Sequence, residues 1–181
     1  LGIHNYESTY KQILPRRGGT LGGGNTARFD GNYERVSGFI FMLGFIEQTA
    51  LADQIAAGAT LSNGHVIPPG GPAGWYGNAL WQPWRTQVPT YLCPSDLNPG
   101  QQGNTAGNSY AFSVGDGMHT NWNTSNYDSR GVFGQRTRVR RFRDVTDGLS
   151  NTVAMSERPW PMGNFTWRTA AGEKHKGVTV Q

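Results

Sequence analysis

The sequence has one cysteine, few charged residues and no long apolar run. Charged residues make up 15% of its 181 residues, and low charge with abundant Asn, Thr, Ser and Gly is typical of secreted or surface proteins rather than cytosolic enzymes. Cys93 has no second cysteine to pair with, so it is either a buried small hydrophobic residue or the partner of a cysteine outside this sequence. No run reaches the roughly 20 apolar residues that span a bilayer.

Recognisable catalytic motifs are also missing. The four histidines lie far apart, without the spacing of a zinc enzyme. There is no G-x-S-x-G nucleophile elbow, and the LGGGNT stretch lacks the lysine of a phosphate-binding loop. These absences favour a protein that is not an enzyme. A hydrolase that uses Asp96, Asp116 and His119 is the alternative.

Glycine, proline and aromatic residues are abundant. The chain has 26 Gly and 10 Pro, which indicate many turns, together with 6 Trp, 7 Tyr and 8 Phe. The aromatic residues supply the burial that a disordered chain lacks. We therefore predict a single loop-rich domain over residues 1–181, long enough to bury a core.

Two helices are predicted in the first third of the chain. Residues 1–14 carry apolar side chains at helical spacing, and because this stripe starts at once, we expect the helix to enter from upstream. Residues 37–57 form the second helix, with Ser37 as N-cap and Gly58 as its stop. A strand over residues 39–45 is the alternative.

The rest of the chain indicates strands. Residues 88–157 contain the short stretches TYLCPSD, SYAFSVGDG, GVFG, TRVRRFRDV and NTVAMSE, divided by Gly, Asn and Asp turns. The fold class predicted is α+β, with helices first and an antiparallel sheet after them.

Arginines are concentrated in the stretch RTRVRRFRD. On a strand, alternate residues face opposite sides, with Arg136, Arg138 and Arg140 on one and Arg141 and Arg143 on the other. Such a stripe suits phosphates or an acidic polysaccharide. The favoured alternative is a solvated strand or a surface that pairs with carboxylates of a neighbouring subunit. No stacking-aromatic motif accompanies the arginines, so nucleic acid is not a predicted partner.

Tryptophans cluster in the Gly/Pro-rich segment 59–89. Trp75, Trp81 and Trp84 lie there without a clear period, and an aromatic cluster in such a loop suits stacking on sugar rings. The favoured alternative is that these rings cover the core where regular structure is absent.

Oxygen-bearing side chains are dense in RDVTDGLSNT. Asp144, Asp147, Ser150 and Asn151 lie within eight residues and are candidate ligands for Ca²⁺, although the spacing is not that of an EF-hand. The favoured alternative is that they bond the loop's own backbone as Asx and ST turns.

Five pieces occur in a fixed order along residues 1–157. They are LGIHNY followed by Tyr10, LGFIEQTALADQI, YLCPSD, NSYAFSVGDG and DVTDGLSNTVAMSE. In this order they resemble a large bacterial family of unknown function whose members carry a prepilin-type N-terminal cleavage and methylation segment, and which is similar to major pseudopilins and type IV pilin-like proteins. The most specific pieces are CPSD at 93–96 and DGLSNT at 147–152, which Glu157 follows.

The resemblance implies a pilin-like fold. In that family an apolar stalk helix, inserted first in the membrane and then in a filament core, continues into the stretch that matches LGIHNY. Residues 1–14 would be the end of this stalk, packed on the antiparallel sheet, and an upstream cysteine would pair with Cys93. The chain departs from the family at residues 43–48, which lack a proline of the L-P-Y-x-E-Q pattern, and in having no H-P-G-G or D-G-S-V stretch.

From these features we expect a structural subunit at the bacterial cell surface. It would assemble with copies of itself in an extracellular pilus-like fibre or pseudopilus, attached to the membrane only through the stalk. Calcium is the one cofactor that the sequence suggests. The alternative is a surface binding module for carbohydrate, through the tryptophans, or for an anionic polymer, through the arginines.

Overall fold

The computed structural model describes residues 1–19, 32–33, 35–73, 80–96, 105–115, 131–134 and 140–158, and the backbone of residues 166–168 and 174–176. This part of the chain consists of short helices and small antiparallel sheets, so its architecture is mixed α+β. None of its helices is both long and apolar enough to cross a membrane.

The first helix, α1, comprises Gly2–Tyr10 and ends before the predicted boundary at residue 14. Lys11 ends it, because this residue adopts a left-handed conformation with φ of 57°, and its N–H donates to the Glu7 carbonyl at 2.7 Å. Ile13 and Leu14 are buried nonetheless. They follow α1 in a segment held by the Ile13 N–H, which donates to the Arg140 carbonyl at 2.7 Å.

The predicted helix over residues 37–57 is divided in two. Helix α2 comprises Gly38–Met42, a 3₁₀ turn follows at Leu43–Phe45, and α3 comprises Thr49–Ala57. Ser37 caps α2 as predicted, since its hydroxyl accepts from the Phe39 N–H at 3.4 Å, and Gly58 ends α3 with φ of 69°. The break occurs because Glu47 takes a left-handed φ of 63°, which no continuous helix permits.

The strands that the structure describes form pairs rather than one sheet. Antiparallel pairs join β1 (Arg17–Gly18) with β2 (Val36–Ser37), β3 (Ala59–Thr60) with β4 (Val66–Ile67), β5 (Tyr110–Phe112) with β6 (Met155–Glu157), and β7 (Thr166–Arg168) with β8 (Lys174–Lys176). Among the described residues, α1 packs against α2 and the turn at Leu43–Phe45. The expected packing of this helix on an antiparallel sheet stays a prediction.

The predicted β-rich part contains more 3₁₀ turns than strands where the structure describes it. Of the stretches expected there, SYAFSVGDG contains β5 and NTVAMSE contains β6. TYLCPSD instead has a 3₁₀ helix at Pro89–Tyr91 and then a turn. Prolines at 89 and 94 explain this difference, since proline has no N–H to donate to a strand ladder.

Aromatic rings join the helical and the strand parts in one core. The Phe39 ring of α2 lies 4.8 Å from the Tyr91 ring and stacks at 4.4 Å on the Phe112 ring of β5. Phe112 in turn contacts the fully buried Phe133 at 4.7 Å. These contacts fix the segments that carry the CPSD and NSYAF motifs against α2.

Candidate functional site

Ser109 connects three of the sequence motifs. The residue is 0% exposed. Its N–H donates to the Tyr91 carbonyl at 2.8 Å, and its carbonyl accepts from the Arg158 N–H at 2.7 Å. The backbone of Ser109 thus connects the segment before CPSD with the residue that follows β6.

The hydroxyl of Ser109 closes the CPSD turn. Its oxygen accepts from the Cys93 N–H at 3.0 Å, and its O–H donates to Asp96 Oδ2, also at 3.0 Å. Within the turn, the Asp96 N–H donates to the Cys93 carbonyl at 3.0 Å. We name these three residues, Cys93, Asp96 and Ser109, the serine latch. In this arrangement Ser109 is a structural bridge whose hydrogen-bonding capacity is used by the fold.

Tyr91 ties the same segment to α2. Its hydroxyl donates to the Phe39 carbonyl at 2.6 Å. In a regular α-helix the Leu43 N–H would donate to the Phe39 carbonyl, but here it donates to the Ile40 carbonyl instead. The Phe39 carbonyl is therefore available to Tyr91. Burial raises the pKa of the Tyr91 phenol far above its ordinary value, so the hydroxyl stays protonated and continues to donate.

The predicted hydrolase residues are only partly within the described structure. Asp96 belongs to the serine latch, whereas Asp116 and His119 lie outside the described residues. Cys93 is a free thiol of intermediate exposure in this chain. Its pairing with an upstream cysteine stays a prediction.

The candidate calcium residues lie on an exposed loop with internal hydrogen bonds. The Asp144 carboxylate accepts from the Arg141 N–H at 2.8 Å, and the Asn151 side chain donates to the Asp147 carbonyl at 3.1 Å. Gly148, with φ of 86°, makes the turn between them. In the described part of the chain, no three His, Cys, Asp or Glu side chains are grouped as metal ligands. Ser150 is exposed in the 3₁₀ turn Leu149–Asn151.

The prediction of an arginine-rich strand is wrong in the part of the stretch that the structure describes. A 3₁₀ helix occupies Phe142–Asp144, because the Asp144 carboxylate bonds the Arg141 N–H and closes a turn. Arg141 and Arg143 are exposed, the Arg143 side chain by 74%, with its Nε 3.8 Å from an Asp144 oxygen. Arg140 is half-buried, and Arg136 and Arg138 lie outside the described residues.

Two of the three tryptophans predicted to stack on sugar rings do not fit that prediction. Trp81 and Trp84 are only 2% and 7% exposed and meet edge to face at 6.2 Å. They pack beside Gly71, where an added Cβ would lie 2.8 Å from Trp84 Cζ2. Rings buried this deeply cannot form an exposed surface on which a sugar stacks, so these two tryptophans belong to the core. Trp75 lies outside the described residues.

A cavity of about 160 Å³ opens beside α2. Its walls come from α2, the start of α3, the segment around Trp84 and Val88, and residues 105–108. The cavity is not apparent from the sequence, because its walls come from segments far apart in the chain. The burial of two polar residues is not apparent either: Ser109, and Asn32, whose Nδ2 donates to the Gly71 carbonyl at 2.8 Å.

The fold and the site define a small α+β domain in which distant motifs meet at one buried serine. A family model described as "Protein of unknown function (DUF1559)" matches residues 1–181. The chain therefore belongs to this family of unknown function. No curated protein and no solved structure matches the chain.

Proposed function

We propose that this chain is the globular head of a structural subunit of an extracellular pilus-like fibre or pseudopilus. It acts by self-assembly at the bacterial cell surface rather than by catalysis. The ordered motifs that resemble pilin-like proteins support this proposal, and the way α1 is attached to the domain carries it.

Among the described residues, helix α1 packs on the domain mainly along one face. Gly2 lies close enough to α2 and the following turn that an added Cβ would be 3.0 Å from an Ile46 methyl group, and the Tyr6 ring packs edge-on against Phe45 at 5.5 Å. On the other side, the His4 ring contacts the Phe142 ring at 4.8 Å, whereas Asn5 and Ser8 are exposed. In this proposal the exposed polar part of the helix surface contacts a neighbouring subunit.

The exposed arginines supply a second contact surface in this proposal. Arg141 and Arg143 project from an exposed turn, and their guanidinium groups suit paired hydrogen bonds to carboxylates of the next subunit. The pairing would be heterologous, since a patch that binds a different patch on the next copy produces an open fibre.

Electron microscopy of the native protein at the cell surface tests the proposal. We expect regular filaments in which density for the domain repeats and α1 faces the filament core. Discrete particles of the full-length protein under all conditions of expression and salt would contradict a structural-subunit role.

Charge changes at the arginines test the contact surface. Arg141→Glu combined with Arg143→Glu should reduce the number and length of filaments while the melting temperature of the domain stays the same. The matched control replaces both residues by Lys, which keeps the charge. Unchanged filaments in the Glu variant would rule out this surface as an assembly contact.

Binding of an anionic polymer is a second candidate function, favoured by the same exposed arginines. It predicts that the isolated domain binds an acidic polysaccharide with an affinity that falls steeply as salt rises. Binding that is insensitive to salt, or equal in the Glu variant, would contradict it.

A further inference from the structure

The cavity beside α2 has mainly apolar walls. Apart from glycine and four polar residues, its lining consists of aliphatic and aromatic side chains and proline, among them Ile40, Leu43, Leu51, Trp84 and Val88. The cavity is partly open to solvent, and its volume of about 160 Å³ is close to that of an engineered apolar cavity in another protein, about 150 Å³, which binds benzene.

The charge of the walls restricts the ligand further. Among the lining residues that the structure describes, there is no carboxylate, amine, guanidinium or imidazole. Tyr91 is the one described lining residue with a weakly acidic group, and its hydroxyl already donates to the Phe39 carbonyl at 2.6 Å. An ionised ligand would lose its hydration here without gaining an opposite charge, which disfavours its entry.

Two polar side chains of the lining are bonded within the fold, whereas the buried indole N–H of Trp84 has no hydrogen-bond partner in the described structure. The Thr86 hydroxyl donates to the Gln82 carbonyl at 3.1 Å, and Asn108 Oδ1 accepts from the Tyr110 N–H at 3.2 Å. A sugar would leave most of its hydroxyls without partners in such a site, at a cost for each buried group. The walls therefore favour a ligand with few polar atoms.

We propose that this cavity is a binding site for a neutral, mainly apolar small molecule about as large as one aromatic ring. Binding follows from transfer of the ligand's apolar surface out of water and from ring contacts with Trp84 and Tyr91. The site lies apart from the exposed arginines and does not depend on the proposed assembly role.

Ligand binding to the full chain tests the site directly. Saturation-transfer NMR and thermal melting are followed with three probes: toluene, benzoate, and methyl glucoside. We expect toluene to bind and to raise the melting temperature, with at least tenfold weaker binding of benzoate and methyl glucoside.

A filled cavity should not bind the probe. Ala106 lines the cavity, and its N–H donates to the Trp84 carbonyl at 2.6 Å through the backbone, so Ala106→Leu adds volume without removing that bond. We expect at least tenfold weaker toluene binding in this variant. Ala50→Leu on the exposed side of α3 is the matched control and should bind as the unmodified chain does.

A second variant keeps the test decisive if Ala106→Leu does not fold. Leu51→Ala enlarges the cavity, so propylbenzene should gain at least fivefold in affinity relative to toluene. Absence of toluene binding up to its solubility would overturn the proposal. So would equal binding of benzoate or methyl glucoside, equal losses in Ala106→Leu and Ala50→Leu, or an unchanged preference in Leu51→Ala.

Discussion

Removal of the Ser109 hydroxyl should destabilise the domain strongly. In Ser109→Ala, the Cys93 N–H loses its acceptor at 3.0 Å and the Asp96 carboxylate loses a donor at 3.0 Å. Ser109 itself is fully buried. A buried polar group left without its partner costs about 1–3 kcal/mol, and a bond to a charged group contributes about 1.5–3 kcal/mol. Because Cys93 and Asp96 are only partly buried, we expect a loss of about 3 kcal/mol in the free energy of unfolding.

Urea unfolding at neutral pH, followed by circular dichroism, measures this loss. The midpoint should fall while the dependence on urea concentration stays unchanged. The matched control is Ser62→Ala, at an exposed turn, which should change stability by less than about 0.5 kcal/mol. Equal losses in the two variants would refute the assignment of Ser109 as a bridge.

A double-mutant cycle separates the two bonds of the hydroxyl. Asp96→Ala and Ser109→Ala share the bond between the two side chains, so their combined effect should be smaller than the sum of the single effects by about 1 kcal/mol. Strict additivity would mean that the Cys93 N–H, and not Asp96, accounts for the loss.

Three further experiments give distinct expected results. Gly38→Ala should destabilise the domain by about 1–3 kcal/mol, since its Cβ would lie 2.6 Å from the Pro15 carbonyl oxygen. Gly44→Ala, whose Cβ would have nothing within 4 Å, should be neutral or stabilising. Chemical denaturation compares the two variants, and equal losses of stability would contradict the close packing at Gly38. Tyr91→Phe should lose about 1 kcal/mol at neutral pH. Because burial raises the pKa of this phenol, the phenol of the unfolded chain loses its proton at lower pH than that of the folded chain. The stability difference between the unmodified chain and the variant should therefore decrease above about pH 10. A stability difference that stays constant with pH would contradict this direction of the pKa shift. Calcium binding by the loop 144–151 predicts that millimolar calcium raises the melting temperature and that Asp147→Asn reduces the rise. The favoured Asx and ST turns predict no rise, and a rise that Asp147→Asn abolishes would contradict them.

Local signals in the sequence predicted the helix ends best. Ser37 caps α2 because its hydroxyl accepts a hydrogen bond from a nearby backbone N–H. Gly58 ends α3 because glycine tolerates a positive φ. Both effects depend only on neighbouring residues in the chain. Glu47 was not predictable in the same way. Exposed Glu47 adopts a φ of 63°, a conformation that is uncommon for glutamate and that its residue type does not indicate.

Interactions between distant segments were not predictable from spacing. The tryptophans suited either a surface or a core until their burial was known, because the same residues serve both purposes. The bonds of Ser109 reach segments that lie far away along the chain, as do the walls of the cavity. Periodicity contains no information about such contacts.

The ordered motifs gain a physical explanation from the serine latch. Pieces that are separate in sequence, CPSD, NSYAF and the end of β6, meet at one buried residue, so they belong to one packing unit. Changes in the latch should therefore lower stability, while changes at exposed Arg141 and Arg143 should lower assembly and leave stability unaltered. A latch variant that folded with normal stability yet lost its filaments would contradict this separation, because the latch would then belong to the assembly surface.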